Sequence, residues 1–494
     1  MKRILFFVLA VVVLMTSLVS CSSALSEAGA AKTAEKQAES TKQEENAPKE
    51  KRDPTGFCAG YSRVVINPTS PVGMGGYGNT EFRRSTGVAS DITAACTAVS
   101  DGENTALFFC IDVLAIGYKN VESIYRQVEK ALGIKPEFIT ISATHSHSSP
   151  AISDTANESV ANYLRIFYPA VLKAAKEAVA DLDRCEMKIG RTTTTDLSYV
   201  RRYFREDGTF HGTNYVSDSK SPVVRHETEV DNEMQLLMFD RVNGKDILMM
   251  NWQCHVTTAG GRDNTMLSAD WVGAMREKIE KDAGVHFTYH QGGAGNVVPN
   301  SFITTEPSNA DYNVHGKKLA DVALEAIPKM ESVPTGKVRA TTKTVTCQHD
   351  LDVSMYDLQK AQAIADPYRA GDYDMAKSLC LVYGYNSPYH ANAVVNKSNR
   401  TEASSTMPLS AVAIGDIGFA VAPYEMFDTN GQQIKKNSTY TMTFVCAYSN
   451  GSYGYIPSEI AWPNGGYEVD TCKYVKGTGE MLANELVAML TTLK

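Results

Sequence analysis

The sequence has no second long apolar run after Ile4 to Met15, which excludes a chain that crosses a membrane several times. It has no cluster of lysine and arginine. The 48 Lys and Arg against 56 Asp and Glu give a formal charge of −8, too little attraction for a phosphate backbone, so nucleic acid is excluded as a partner. Its cysteines never stand as CxxC, which removes the common spacing of a thiolate zinc site. No glycine-rich phosphate loop joins a strand to a helix, and no repeat of about 20 to 50 residues recurs, so a nucleotide-binding fingerprint and a solenoid are both excluded. What is present, 43% hydrophobic and 21% charged residues over 494 positions, is the profile of a soluble globular protein.

The N-terminus is organised differently from the rest. Lys2 and Arg3 precede the apolar run, which is too short for a spanning helix and leads into Leu18-Val19-Ser20-Cys21. This order resembles a bacterial lipoprotein signal, in which residues 1–20 are removed and the Cys21 thiol carries a diacylglyceryl group. From Ser22 to Asp53 there is no aromatic residue and no large apolar one after Leu25, so residues 21–53 are expected to be a flexible tether. The expected location is extracytoplasmic, with the membrane reached through the lipid at Cys21. Residues 54–494 are the expected folded part. They hold nine cysteines, an odd number that cannot all pair within one chain, and Cys96, Cys110 and Cys446 sit in apolar runs where a thiol packs as a small hydrophobe.

Within the folded part, apolar periodicity predicts strands at Thr105 to Ala115 and Phe138 to Ala143. A helix lies between them, with Val121, Ile124, Val128 and Leu132 on one face. A second helix is expected over Ser159 to Ala180, bent at Pro169. Further strands are predicted at Glu233 to Phe239, Ile247 to Trp252, His286 to His290, Val338 to Cys347, Ser410 to Val421 and Thr441 to Tyr448. Helices are predicted over Trp271 to Ala283, Val314 to Ile327 and Gly479 to Leu493. Alternating elements of this kind give an α/β fold: one large layered domain of mixed sheets flanked by helices.

Chemistry is expected where polar groups interrupt a strand end. The clearest case is Ile139 to Pro150, ITISATHSHSSP. Residues two apart in an extended segment share a face, so His145 and His147 are expected to enter one pocket, either both on a metal or with one moving protons. His255 in Asn251-Trp252-Gln253-Cys254-His255, Glu425 in Ala422-Pro423-Tyr424-Glu425, and the loop Asn450 to Tyr455 followed by Gly465-Gly466-Tyr467-Glu468 are weaker signals taken singly.

Together these pieces resemble the N-terminal domain of the neutral/alkaline ceramidases, zinc amidases that cleave the N-acyl bond of ceramide. The T-H-T-H-S-G-P stretch of that family stands here as Thr144-His145-Ser146-His147-Ser148-Ser149-Pro150. Pro71 to Tyr77, the Arg201 region, N-W-x-x-H, P-x-E and the pair Tyr455 and Tyr467 follow in family order. The resemblance implies one Zn2+ on His145, His255, Glu425 and Tyr455. It implies His147 as the proton shuttle, with Arg201 and Tyr467 beside the scissile group. Hydroxide derived from a zinc-activated water would attack a linear amide of ceramide or another N-acyl lipid. Where the family reads G-D-V-S-P-N, this chain has Gly295-Asn296-Val297-Val298-Pro299-Asn300. Asn296 and Val298 are thus carried over as substrate-contact positions, and a valine in place of the serine hydroxyl is expected to change specificity. The few residues after Tyr467 leave the expectation that the β-sandwich appended in ceramidases is missing here. An amidase or esterase for a non-sphingolipid substrate, a metal-dependent hydrolase of envelope or glycan material, and a non-catalytic binding lipoprotein on this scaffold remain open alternatives. No obligate protein partner is inferred.

Overall fold

A computed structural model describes residues 54–494 apart from 78, 79, 82, 217, 218, 262, 302 and 304–310. The expected signal at 1–20, the lipidated Cys21 and the tether to residue 53 lie outside the described residues. The described residues form one unit.

The main sheet has nine strands: β1 (Cys58–Val65), β2 (Thr93–Ser100), β3 (Thr105–Ile111), β4 (Ile139–Ala143), β5 (Asp183–Thr193), β6 (Glu233–Arg241), β7 (Ile247–Trp252), β8 (His286–Gln291) and β9 (Glu331–Val333). Their order is β8-β7-β6-β5-β1-β2-β3-β4, with β9 on β5. β3/β4 and β7/β8 pair in parallel, and the other pairs are antiparallel. A second sheet runs in the order β10 (Val338–Gln348), β11 (Ser404–Ile414), β12 (Ile417–Val421), β13 (Met442–Cys446). Mixed pairing is what strands joined partly by helices and partly by hairpins produce.

β3 reads TALFFCI with no polar alternation because both of its faces are covered. Leu107, Phe109 and Ile111 share a core with residues of α1 (Tyr118–Leu132) and α2 (Glu158–Ala180). Ala106, Phe108 and Cys110 share the other core with Phe419 and Phe444 of the second sheet. The Phe108 and Phe419 rings are 4.6 Å apart. The far face of the second sheet is covered by the C-terminal helix Thr478–Leu493, whose Leu482 and Leu486 join Leu409 and Ala411. The result is the α/β layering expected from the sequence.

Two local expectations are corrected. The helix over Glu158–Ala180 is not interrupted at Pro169 but runs on through it, with the proline on the exposed side. The segment Ser410 to Val421 is not one strand but the end of β11 and β12, separated by a Gly415-Asp416 turn in which Gly415 takes φ +57°. The sequence reading also assigned no helices between Cys347 and Ser404. Helices Leu358–Arg369, Tyr373–Tyr383 and Pro388–Ser398 stand there, each started by a side-chain cap, from Asp357, Asp372 and Ser387. They form a small core of their own around Ile364, Cys380 and Val394.

Among the described residues, eight of the nine cysteines are buried. Among the described residues no helix is long and apolar enough to cross a membrane.

Candidate metal centre and active-site cavity

The centre forms where the C-terminal ends of parallel strands release the chain, the position at which α/β sheets commonly place their ligands. β4 ends at Ala143. Thr144 and His145 then donate their backbone N–H groups to the carbonyls of Ile111 and Val113, at 2.9 and 3.0 Å, just past the end of β3. Between those two acceptors, buried Asp112 accepts hydrogen bonds from the Thr93 backbone and from Arg276, at 2.9 and 2.8 Å, which fixes this corner. His145 itself has φ +70°, a conformation that a non-glycine residue rarely holds without surrounding constraint. The extended geometry expected for His145 to His147 is therefore not what brings the two imidazoles together. The left-handed residue turns the chain, and the His145 and His147 Nε2 atoms meet at 3.3 Å.

His255 follows β7, and its backbone N–H donates to the Val297 carbonyl at 2.9 Å. Its ring lies 4.8 Å from that of His145, centroid to centroid. Glu425 and Tyr455 are partners in a two-residue parallel pairing of Glu425–Met426 with Tyr455–Ile456. Glu425 Oε2 lies 3.4 Å from His145 Nε2 and 3.7 Å from His255 Nε2, and the Tyr455 hydroxyl lies 3.4 Å from His255 Nε2. The structure thus brings together all four residues read as ligands and His147 with them. The three imidazoles offer nitrogens within 4.8 Å of one another.

The donor chemistry fits a cation. His145 Nδ1 lies 2.8 Å from the Leu114 carbonyl and His255 Nδ1 lies 2.7 Å from that of Ala294, contacts that place the ring proton on Nδ1 and leave each Nε2 lone pair facing the cluster. Glu425 Oε2 is buried without a hydrogen-bond partner. Two imidazole lone pairs and a buried, unpartnered carboxylate oxygen that converge are mutually unfavourable unless a positive ion sits among them. Burial also keeps the imidazoles neutral, the form that binds metal: His145 is pushed down to about 3, and His147 and His255 well below the ordinary range. Burial pushes the Glu425 carboxyl up to about 7, against the opposing pull of a hydrogen bond from Tyr455 and the charge of Arg201.

Arg201 is not a surface residue. Its Nε donates to fully buried Glu468 at 2.7 Å, while Nη2 donates to the Gly295 carbonyl at 3.0 Å and to the Tyr455 hydroxyl at 3.1 Å. Arg202 turns the other way, to Glu227 and Glu468, which settles which of the two neighbouring arginines serves the site. Tyr467 stands 5.4 Å from Tyr455, ring to ring. His147, Arg201, Tyr455 and Tyr467 open onto one cavity of about 1160 Å³.

Neither Asn296 nor Val298 is among the residues that line this cavity. Asn296 is buried. Its Oδ1 accepts from the Asp428 backbone at 2.9 Å and its carbonyl from the Arg201 backbone at 2.8 Å, while Val298 pairs with Tyr199. This loop holds Arg201 and His255 in place. Sequence reasoning missed Tyr448, whose ring lies 4.3 Å from that of His145. It gave no role to Glu468, though the residue stands next to Tyr467 in a stretch already singled out.

The Pro71 to Tyr77 stretch packs on His147: the Tyr77 ring is 5.1 Å from it, and a Cβ built on Gly76 would meet His147 Nδ1 at 2.7 Å. Gly76 also has φ +106°. Gly76→Ala is therefore expected to displace the His147 ring and lower kcat by about 10- to 100-fold, the scale of a small misplacement at a catalytic group, with metal content unchanged. Steady-state kinetics and metal analysis of the variant check this.

The sequence profile of neutral/alkaline non-lysosomal ceramidase, N-terminal, matches residues 59–356. The chain belongs to this family. It is accordingly a hydrolase of the ceramidase type. The fold agrees: a solved structure titled a ceramidase complexed with C2 superposes with a TM-score of 0.67 at 18% identity, covering 89% of this chain and 75% of that one. The neutral ceramidase from Pseudomonas aeruginosa gives a TM-score of 0.67 at 16% identity with the same coverage. Tyr455, Tyr467 and Glu425 lie beyond the stretch matched by the ceramidase profile, and the fold alone carries them to His145 and His255.

Proposed function

We propose that this protein is a zinc-dependent hydrolase of a linear amide, ceramide or another N-acyl compound, lipid-anchored through Cys21 on the outer face of a bacterial membrane. The observation that carries this reading is the convergence of His145 Nε2 and His255 Nε2 on the unpartnered Glu425 Oε2, at 3.4 and 3.7 Å, beside a large cavity that His147 and Tyr455 line. A zinc ion held by His145, His255, Glu425 and Tyr455 would polarise the amide carbonyl and lower the pKa of a water toward roughly 7. His147, neutral and next to this cluster, is placed to accept a proton from that water and pass it to the leaving nitrogen. The balance is that of hydrolysis: the carbonyl carbon gains a bond to the water oxygen, the C–N bond breaks, and the amine takes the proton. Arg201 orients the Tyr455 hydroxyl, and Glu468 holds Arg201.

A second reading makes His147 a ligand, since its nitrogen lies within reach of the same ion. The experiment for the reading as a whole is an amide-hydrolysis screen of the full-length chain before and after chelation. Activity is expected to disappear with the chelator and return with zinc. Activity indifferent to chelation would contradict it.

A further inference from the structure

The cavity is much larger than a scissile amide requires, and its outer part is built by elements that the centre does not use. The helices Leu358–Arg369, Tyr373–Tyr383 and Pro388–Ser398 all contribute to its wall. A file of tyrosine rings leads outward from the centre. Tyr455 lies 5.4 Å from Tyr467, Tyr467 lies 5.0 Å from Tyr389, and Tyr389 lies 5.1 Å from Tyr368, each pair edge to face.

Besides Arg201 at the centre, the same cavity is lined by three further cationic side chains, Lys377, Lys397 and Arg400, and by three carboxyl groups, Asp350, Asp352 and Asp470. Lys397 is paired with Asp350 at 2.6 Å. Asn392 and Asn396 line it too. Their Oδ1 atoms accept from Arg369 at 2.8 and 2.9 Å, which leaves their NH2 groups to donate.

These groups select against an alkyl chain. A sphingoid or fatty tail laid along them would strip water from charged groups and two amides and return no hydrogen bond, at a cost for each. A ring that presents a C–H face to tyrosine and a rim of hydroxyls to carboxylates, ammonium groups and amides satisfies both sets at once.

We propose that the outer cavity, walled by Tyr467, Tyr389 and Tyr368, takes a hydroxyl-rich carbohydrate group on the amine side of the scissile bond, so that the substrate is an N-acylated amino sugar or a chain of them. This rests on the amide-hydrolase reading and narrows it. The substrate reaches the centre by its N-acyl group, and the sugar rings extend along the tyrosine file toward the helical wall.

The test compares three amides with the same acetyl group on the full-length, zinc-loaded chain: an N-acetylglucosamine tetramer, N-acetylsphingosine, and para-nitroacetanilide as a small reference with neither sugar nor tail. The tetramer is expected to exceed N-acetylsphingosine in kcat/KM by about 10-fold or more. Tyr389→Ala should lower the tetramer-to-acetanilide ratio about 10-fold, the scale of one aromatic contact and its packing, and Tyr389→Phe should restore it. Preference for N-acetylsphingosine, or an unchanged ratio in Tyr389→Ala, would overturn the inference while hydrolysis of acetanilide leaves the amidase reading standing. Inertness toward all three would contradict the amidase reading itself. Calorimetric titration with the tetramer then still decides the cavity: binding weakened by Tyr389→Ala supports it, and no binding overturns it.

Discussion

His145→Ala is expected to lose most of the bound metal and to lower kcat/KM by about 1000-fold or more, the several kcal/mol that Lewis-acid catalysis supplies. The effect is large because His145 is tied to the cluster from two sides. Its Nε2 faces Glu425 at 3.4 Å, and its Nδ1 is anchored on the Leu114 carbonyl at 2.8 Å. An alanine at this position has no ring to hold an ion and leaves the Glu425 carboxylate buried with one fewer neighbour. Metal analysis beside activity measures this. Full metal occupancy in His145→Ala would show that this residue is not a ligand.

His147→Ala separates transfer of a proton from binding of the ion. Metal content is expected to stay near that of the wild type, while kcat falls by roughly 100-fold or more, the common scale of a general acid or base. His147 lines the cavity, whereas His145 and His255 lie behind it, and Tyr77 with Gly76 hold the His147 ring from the other side. Equal metal loss in the two histidine variants would assign His147 to the ion and leave the proton transfer without a carrier.

Much of this centre was legible in the sequence, for unequal reasons. His145 and His147 stand where an apolar strand stops and polar residues begin, a local signal that needs no tertiary knowledge. The local geometry inferred from it was different, because nothing in T-H-S-H marks the φ of +70° at His145. That conformation is imposed by the backbone contacts to Ile111 and Val113. Tyr455 was legible only through resemblance: a phenol is an uncommon zinc ligand, and its pairing with Glu425 comes from residues 30 apart in sequence. Glu468 and Tyr448 were visible only as members of an aromatic, glycine-rich stretch and a strand end, since a partner such as Arg201 lies far away along the chain.

The fold shows the same division. The long helices and the apolar strands β3, β4, β7 and β8 announce themselves by period and composition. β2, read TAACTAVS, is built of small residues with weak β preference and is held by pairing with β1 and β3 on either side. The three helices between Leu358 and Ser398 are short and share a small core of mostly alanine and valine. Tyr368 and Tyr389 turn toward the cavity and blur the apolar stripe by which a helix is recognised.

Anomalous X-ray diffraction at the zinc edge, from crystals of the metal-loaded full-length chain, tests the central claim most directly. One peak is expected about 2.0 to 2.1 Å from both His145 Nε2 and His255 Nε2 and about 2.0 to 2.2 Å from a Glu425 oxygen, with His147 outside the coordination sphere. A peak bonded to His147 but not to Glu425, or a loaded protein with no peak among these residues, would contradict the account.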